Sequence, residues 1–292
     1  MVKIPEHIQN YILSRTWEMD TIYGLSEFAR FLFEINSNMI PDYSEMRSRN
    51  APIIMNNGYV FQGNSWNVRS SDIPEGSIIK MSLSGTMVYE DGPCTYGTKS
   101  LANTLYDAYN NSRIAGILME VNSGGGESTA GNALMSAVAD KNKPVVIHFH
   151  TLGSAAMKTA LPANEIIAAS PAAEAGSIGT FVSVSKEVLT WYAENILDIY
   201  ADQSPDKNKE FNALLAGDLG PIKKMVNRNA ELFQREVRKY RSLKGSEDYQ
   251  AQTLAGGMFD ANIARNRGLI DGIGTLNYAL KRLQSHIKNQ AA

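Results

Sequence analysis

The sequence predicts an α/β fold with a largely parallel sheet. Short apolar runs recur from residue 77 onward, and helix-like segments lie between several of them. The chain has 292 residues, 43% of them hydrophobic, which is ample for a sizeable core in one large α/β domain or two small ones.

The elements follow in order. In residues 1–72, "IPEHIQNYILSR" and "TIYGLSEFARFLFEINS" carry apolar residues at helical spacing. "RSRNAPIIMNNGYVFQGNSWNVRSSD" is polar and turn-rich, so the segment reads as an N-terminal extension of helices and irregular chain. Beyond it, "SIIKMSLSG", "IAGILMEVNS", "PVVIHFHT", "EIIAASP", "SIGTFVSV" and "ILDIYAD" read as buried strands. "SLANTLYDAYNNS", "STAGNALMSAVAD" and "SAAMKTALP" read as the helices between them. "GPIKKMVNRNAELFQREVRKYRSLKG" is amphipathic throughout and predicts one long helix ending near Gly245. The tail "MFDANIARNRGLIDGIGTLNYALKRLQSHIKN" predicts a helix, a short strand-like turn and a terminal helix.

Composition narrows the functional classes. Charged residues are 20% of the chain and the net charge is −2, so nothing electrostatic points to a nucleic-acid partner. The single cysteine, Cys94, excludes an internal disulfide and any multi-cysteine zinc site. It sits in "EDGPCTYG" without a basic neighbour, which predicts an inert thiol. No metal and no cofactor is expected. The first twenty residues carry a proline and charges where a secretory apolar core would lie, and no long uninterrupted apolar stretch occurs. The expectation is a soluble protein without a membrane anchor, located in the cytoplasm.

Two loops are candidates for chemistry. In "MEVNSGGGESTAG" an apolar strand meets three glycines and then a helix. Such a loop can bring backbone N–H groups close to a phosphate or an oxyanion. The spacings of the nucleotide-binding glycine motifs are absent, and a plain strand-to-helix turn reads equally well. In "HFHTLGSAAMKTALPA", Ser154 lies where a strand hands over to a helix, as a helix cap or a nucleophile. It lacks the G-x-S-x-G elbow, and on local grounds the cap reading is favoured.

A serine nucleophile needs a base. The histidines are His7, His148, His150 and His286. His148 and His150 share one strand face and read as packing or hydrogen-bonding residues. With none between His150 and His286, a Ser-His-Asp triad of the Clp-protease kind is not supported. A lysine accepts a proton only when neutral, a state that burial favours by roughly 3–5 pKa units. Lys158 lies one helical turn after Ser154, but reads first as a snorkelling or exposed lysine. Lys207 and Lys209, in "ADQSPDKNKEF", are more distant candidates and read equally well as solvated loop charges.

Three segments in this order, "IAGILMEVNSGGGESTAG", "HTLGSAAMKTALPANEIIAASPAAEAGSIGTFV" and "MFDANIARNRGLIDGIG", resemble the signal peptide peptidase A family across about residues 75 to 285. The resemblance implies a Clp/crotonase-type spiral of βαβ units, a Ser-Lys dyad, and a peptidase domain over 73–288 behind the 1–72 extension. It makes Ser154 the nucleophile and gives the oxyanion N–H groups to Gly125, Gly126 and Ala155. Gly124 stands where the family has proline. Ser177 in "GSIG" matches a serine that can hydrogen-bond the catalytic lysine. The family's "GxyK" segment is missing; Lys207 lies about where its lysine falls, with Lys209 as the alternate.

Short members of that family take the lysine from a neighbouring subunit, which implies a homo-oligomer with a shared active site. The missing anchor and the extra N-terminal segment are most like the soluble phage and prophage head-maturation proteases. The implied partners are then a protein or peptide substrate and capsid, scaffold or portal proteins, in host cytoplasm, procapsid or virion. Three other readings remain: a signal-peptide-remnant peptidase, a crotonase-like acyl-CoA enzyme, and an inactive structural member. Against the acyl-CoA reading, only one carboxylate, Glu127, adjoins the glycine loop.

Overall fold

The computed structural model describes residues 17–19, 52–56, 59–62, 72–91 and 97–291. Their elements, in chain order, are β1 (Trp17–Met19), β2 (Ile53–Asn56), β3 (Tyr59–Gln62), β4 (Ser77–Ser84), α1 (Thr98–Asn110), β5 (Ile114–Ser123), β6 (Gly125–Glu127) and α2 (Ser128–Ala139). Then follow β7 (Val145–Gly153), α3 (Ala155–Ala160), β8 (Glu165–Ala168), β9 (Glu174–Gly176), α4 (Lys186–Asn195), α5 (Lys209–Leu215) and α6 (Gly220–Tyr240). The chain closes with α7 (Glu247–Thr253), β10 (Met258–Asp260), α8 (Ala261–Asn266), β11 (Gly272–Ile273) and α9 (Leu276–Ala291).

The expected α/β class is what the molecule has. The main sheet runs β10-β9-β7-β5-β4-β2-β3, and its centre is parallel: β4 pairs with β5, and β5 with β7. The first half of β7 pairs with β8, and its last three residues pair with β9. Successive side chains on a strand point to opposite faces, and here both faces are covered. Ile117, Met119, Ile147 and Phe149 pack with Leu105, Leu134 and Phe233 of the helices on one face. Ile78, Leu118, Val146 and Ile167 pack beneath Ala279 and Leu283 of α9 on the other. That double burial is why these strands read as unbroken apolar runs. A methyl added at Gly116 would lie 2.9 Å from the Ile287 side chain, so the glycine lets α9 sit directly on β5.

A polar clamp fixes α9 at its far end. Glu165 at the start of β8 accepts hydrogen bonds from Arg282 Nε at 2.9 Å and lies 3.0 Å from His286 Nε2. His286 is therefore half-buried in a structural contact.

Four expectations are corrected. The turn-rich stretch before residue 72 contains the hairpin β2–β3, and β2 joins the main sheet antiparallel to β4. The Asn57-Gly58 dipeptide is the sequence signal for that hairpin. "SIGTFVSV" forms no regular strand; the strand is β9, just before it, because Gly176 (φ 138°) and Ser177 (φ 53°) turn the backbone out of extended geometry. "ILDIYAD" forms none either, and Leu197 and Ile199 are 85% and 88% exposed without a strand beside them. The long helix stops at Tyr240 because Arg241 turns away to an ion pair with Asp271 at 2.7 Å. The helices expected before residue 40, together with His7 and Cys94, lie outside the described residues. No helix among the described residues is long and apolar enough to cross a membrane.

Phe233→Ala should cost about 3–5 kcal/mol in denaturant unfolding, whereas Leu197→Ser on the exposed segment should stay within about 0.5 kcal/mol. Burial pushes the Glu165 carboxyl up, but the hydrogen bonds and charges of Arg282 and His286 outweigh it, so its pKa lies below the usual range. A depressed carboxylate stabilises the fold above its unfolded pKa of about 4.3, and that contribution is lost as pH falls further through the folded value. The Tm gap between the parent chain and Glu165→Gln should therefore be widest at neutral pH and shrink progressively below about pH 4.

Candidate active site

The parallel register of β5 and β7 ends both strands at one place. Asn122 lies opposite Thr151, and Ser123 opposite Leu152, so the glycine loop and the turn at Ser154 emerge side by side. They touch: a methyl on Gly153 would meet the Gly124 carbonyl oxygen at 3.0 Å, and one on Gly131 would meet Ala155 at 3.0 Å. Glycine at both positions is what permits the approach.

Ser154 occupies the junction with φ 52° and ψ −116°, a strained conformation for a residue with a side chain. Its N–H donates to Gly176 O at 2.9 Å, and its C=O accepts from Lys158 N–H at 2.9 Å. Its side chain makes no helix-capping hydrogen bond, so the cap reading loses its physical basis. Ala155 is the first helical residue, and its N–H has no intrahelical acceptor. Ser177 follows Gly176 directly, again at positive φ, and is anchored by donation from its N–H to Gly257 O at 2.8 Å. Ser154, Ser177, Ala155 and the glycine loop therefore share one corner of the fold.

The loop itself is rigidly held. Ser123 Oγ donates to Gly85 O at 2.6 Å and accepts from Gly125 N–H at 3.1 Å. Met87 N–H donates to Gly125 O at 2.9 Å, and Glu127 N–H donates to Met87 O at 3.0 Å. The buried Glu127 carboxylate accepts the Tyr89 N–H at 3.0 Å. Of the two loop N–H groups singled out in the sequence, Gly125's is thus spoken for by Ser123. Gly126's points the other way, because N–H and C=O of one trans peptide are opposed and Gly125 O faces Met87.

The lysines fall differently. Lys158, expected to snorkel or lie exposed, is 4% exposed, with its ammonium 4.5 Å from the centre of the Phe233 ring. The correction has a simple cause: α3 is buried on every side, so its lysine finds an aromatic face instead of water. Lys207 and Lys209 lie on the exposed arm formed by α4, α5 and the chain between them. Lys209 pairs with Asp206 at 2.9 Å, and among the described residues no hydrogen bond joins either ammonium to Ser154.

The histidines are structural. His148 is buried and donates from Nε2 to Gly274 O at 3.0 Å, which places the proton on Nε2 in the neutral ring. Burial holds its pKa below the ordinary histidine value, partly offset by that hydrogen bond. His150 is exposed, at the point where the β5–β7 register shifts. Among the described residues no group of three His, Cys, Asp or Glu could hold a metal ion.

A cleft lined by Lys141, Lys143, Asn164 and His286 is the wrong place for this chemistry. It opens at the Pro144 end of β7, and nine residues of strand put it roughly 30 Å from Ser154.

The loop geometry predicts that Gly126→Ala is not tolerated, because its methyl would lie 2.1 Å from the Met87 carbonyl oxygen. The backbone must shift, at about 1–3 kcal/mol in denaturant unfolding. Ala133 makes the comparison: Ala133→Gly, at a half-buried position of α2, should cost only about 1 kcal/mol.

No protein-family model matches the chain. A protein of Methanocaldococcus jannaschii named "Putative protease MJ0651" is 30% identical over 191 residues, covering 62% of this chain and 59% of its own length. The chain thus spans under two thirds of that relative. An enoyl-CoA hydratase from Shewanella pealeana is 13% identical, with a TM-score of 0.45 and 75% and 72% of the two chains covered. A ClpP1 variant from Listeria monocytogenes is 15% identical, with a TM-score of 0.45 and coverages of 69% and 94%. A variant of a membrane-bound stomatin-specific protease is 14% identical, with a TM-score of 0.40 and coverages of 72% and 84%.

Proposed function

We propose that the protein is a serine endopeptidase with Ser154 as nucleophile. The observation that carries this reading is the strained, uncapped Ser154 set against the glycine loop, beside an Ala155 N–H that has no intrahelical acceptor. The 30% identity to a protein named as a protease supports the same class.

In this mechanism a neutral lysine amine takes the Ser154 Oγ proton as the oxygen attacks a peptide carbonyl. The N–H of Ala155, which has no intrahelical acceptor, stabilises the tetrahedral oxyanion, the Gly125 N–H being already bonded to Ser123 Oγ. The lysine returns the proton to the leaving amine, and water hydrolyses the acyl-enzyme by the same route. Ser177, one residue beyond the carbonyl that accepts the Ser154 N–H, is the proposed hydrogen-bond partner of that lysine.

Lys207 is the proposed base, with Lys209 as the alternate, supplied by a second copy of the chain. The arm that carries them supports this. It is folded on itself through Tyr192, Phe211 and Asp198, yet it leaves Trp191 57% and Leu197 85% exposed. Apolar surface of that kind marks an interface. A head-maturation role acting on capsid scaffold is the finer part of the proposal and rests on the family resemblance alone. The acyl-CoA reading is disfavoured because Glu127 is buried and already bonded to Tyr89.

Ser154→Ala and Lys207→Ala should each lower cleavage of an unfolded protein substrate by roughly 10⁴-fold, and the double variant should lose little more. Mixing the two single variants should restore part of the activity, since one intact Ser154 would meet one intact Lys207 across the boundary. Full activity in Ser154→Ala rejects the nucleophile, and no recovery on mixing rejects the shared site.

A further inference from the structure

We propose that residues 17–19, paired along the outer edge of β6, are a built-in occupant of that edge, which an incoming extended substrate must displace. The proposal rests on the peptidase reading for its consequence, but on backbone geometry for its substance.

The edge is defined by hydrogen bonds. One side of β6 is closed by Met87, which donates to Gly125 O and accepts from Glu127 N–H. No described peptide bond is cis, so Gly126 must present both its N–H and its C=O to the opposite side. On that side lies β1, antiparallel to β6, with Trp17 opposite Glu127, Glu18 opposite Gly126 and Met19 opposite Gly125. Glu18 thus faces the one residue of β6 whose two backbone groups both point outward. The same loop abuts Gly153, the residue before Ser154. A strand laid along Gly126 therefore passes close to the turn that carries the candidate nucleophile.

Two features make this strand a replaceable occupant. It pairs over three residues with a single partner strand, β6, and it belongs to a two-stranded sheet separate from the main one. Two-stranded pairing of that length is marginal in water. A polypeptide segment that adds side-chain contacts to the same backbone pairing competes successfully against such an occupant. Recognition through main-chain hydrogen bonds also fits a substrate defined by being extended, whatever its exact sequence.

The test uses the full chain and Glu18→Pro, which removes the N–H facing Gly126 and leaves every residue of the candidate site intact; Glu18→Ala keeps that N–H and is the control. Deletion of residues 1–19 is the second variant, should Glu18→Pro lose cooperative unfolding. Three quantities are read: hydrogen exchange at the Gly126 amide, anisotropy of a fluorescent peptide of sequence YILSRTWEMDTIYGL, and the rate of covalent labelling of Ser154 by a fluorophosphonate. Glu18→Pro should speed Gly126 exchange and tighten peptide binding by about tenfold or more, with Glu18→Ala like the parent. Equal exchange and equal peptide binding in parent, Glu18→Pro and the deletion overturn the proposal. Faster exchange and tighter binding with Ser154 inert in every form leave the strand site standing and remove the peptidase reading. Equal, rapid labelling of Ser154 in all forms without peptide binding does the reverse.

Discussion

The in-register parallel pairing of β5 with β7 is the constraint on which the rest depends. Parallel strands run their ends out on the same side of the sheet, so the loops after them become neighbours. Here one loop is three glycines and the other is Gly153-Ser154, and the two approach to the limit that a missing side chain allows. Both sheet faces must be covered to hold such strands, which accounts for α2, α3 and α6 on one side and α9 on the other. A slip of one residue would turn every core side chain to the opposite face and pull the two loops apart.

The molecule divides its tasks between a rigid body and an exposed arm. Ser154, Ser177 and the loop are fixed by short backbone hydrogen bonds within the body, and the two serines carry their strain there. Such conformations cost about 1–3 kcal/mol each and persist only where the surroundings over-determine them. The arm has no buried residue in either of its helices and keeps its shape through a small aromatic and carboxylate cluster. It leaves Trp191, Leu197 and Ile199 exposed.

Ionisable groups inside the body serve the fold. His148 donates to the Gly274 carbonyl, Glu165 ties β8 to α9, and the Lys158 side chain rests on Phe233.

By itself the sequence determined the central strands and helices and the corner at Ser154. "IAGILMEVNS" and "PVVIHFHT" are apolar throughout because both their faces are buried, so their period and length were readable. Gly124–Gly126 and Gly153-Ser154 were readable because close backbone approach demands glycine. Only the tertiary structure decided what depended on distant partners. Whether "SIGTFVSV" and "ILDIYAD" become strands depends on a neighbouring strand being there, which no local pattern encodes. Lys158 was misplaced because α3 is covered by α6, more than sixty residues on. The pairing of Glu18 with Gly126 joins segments over a hundred residues apart through backbone groups alone, and backbone hydrogen bonds leave no mark on side-chain pattern.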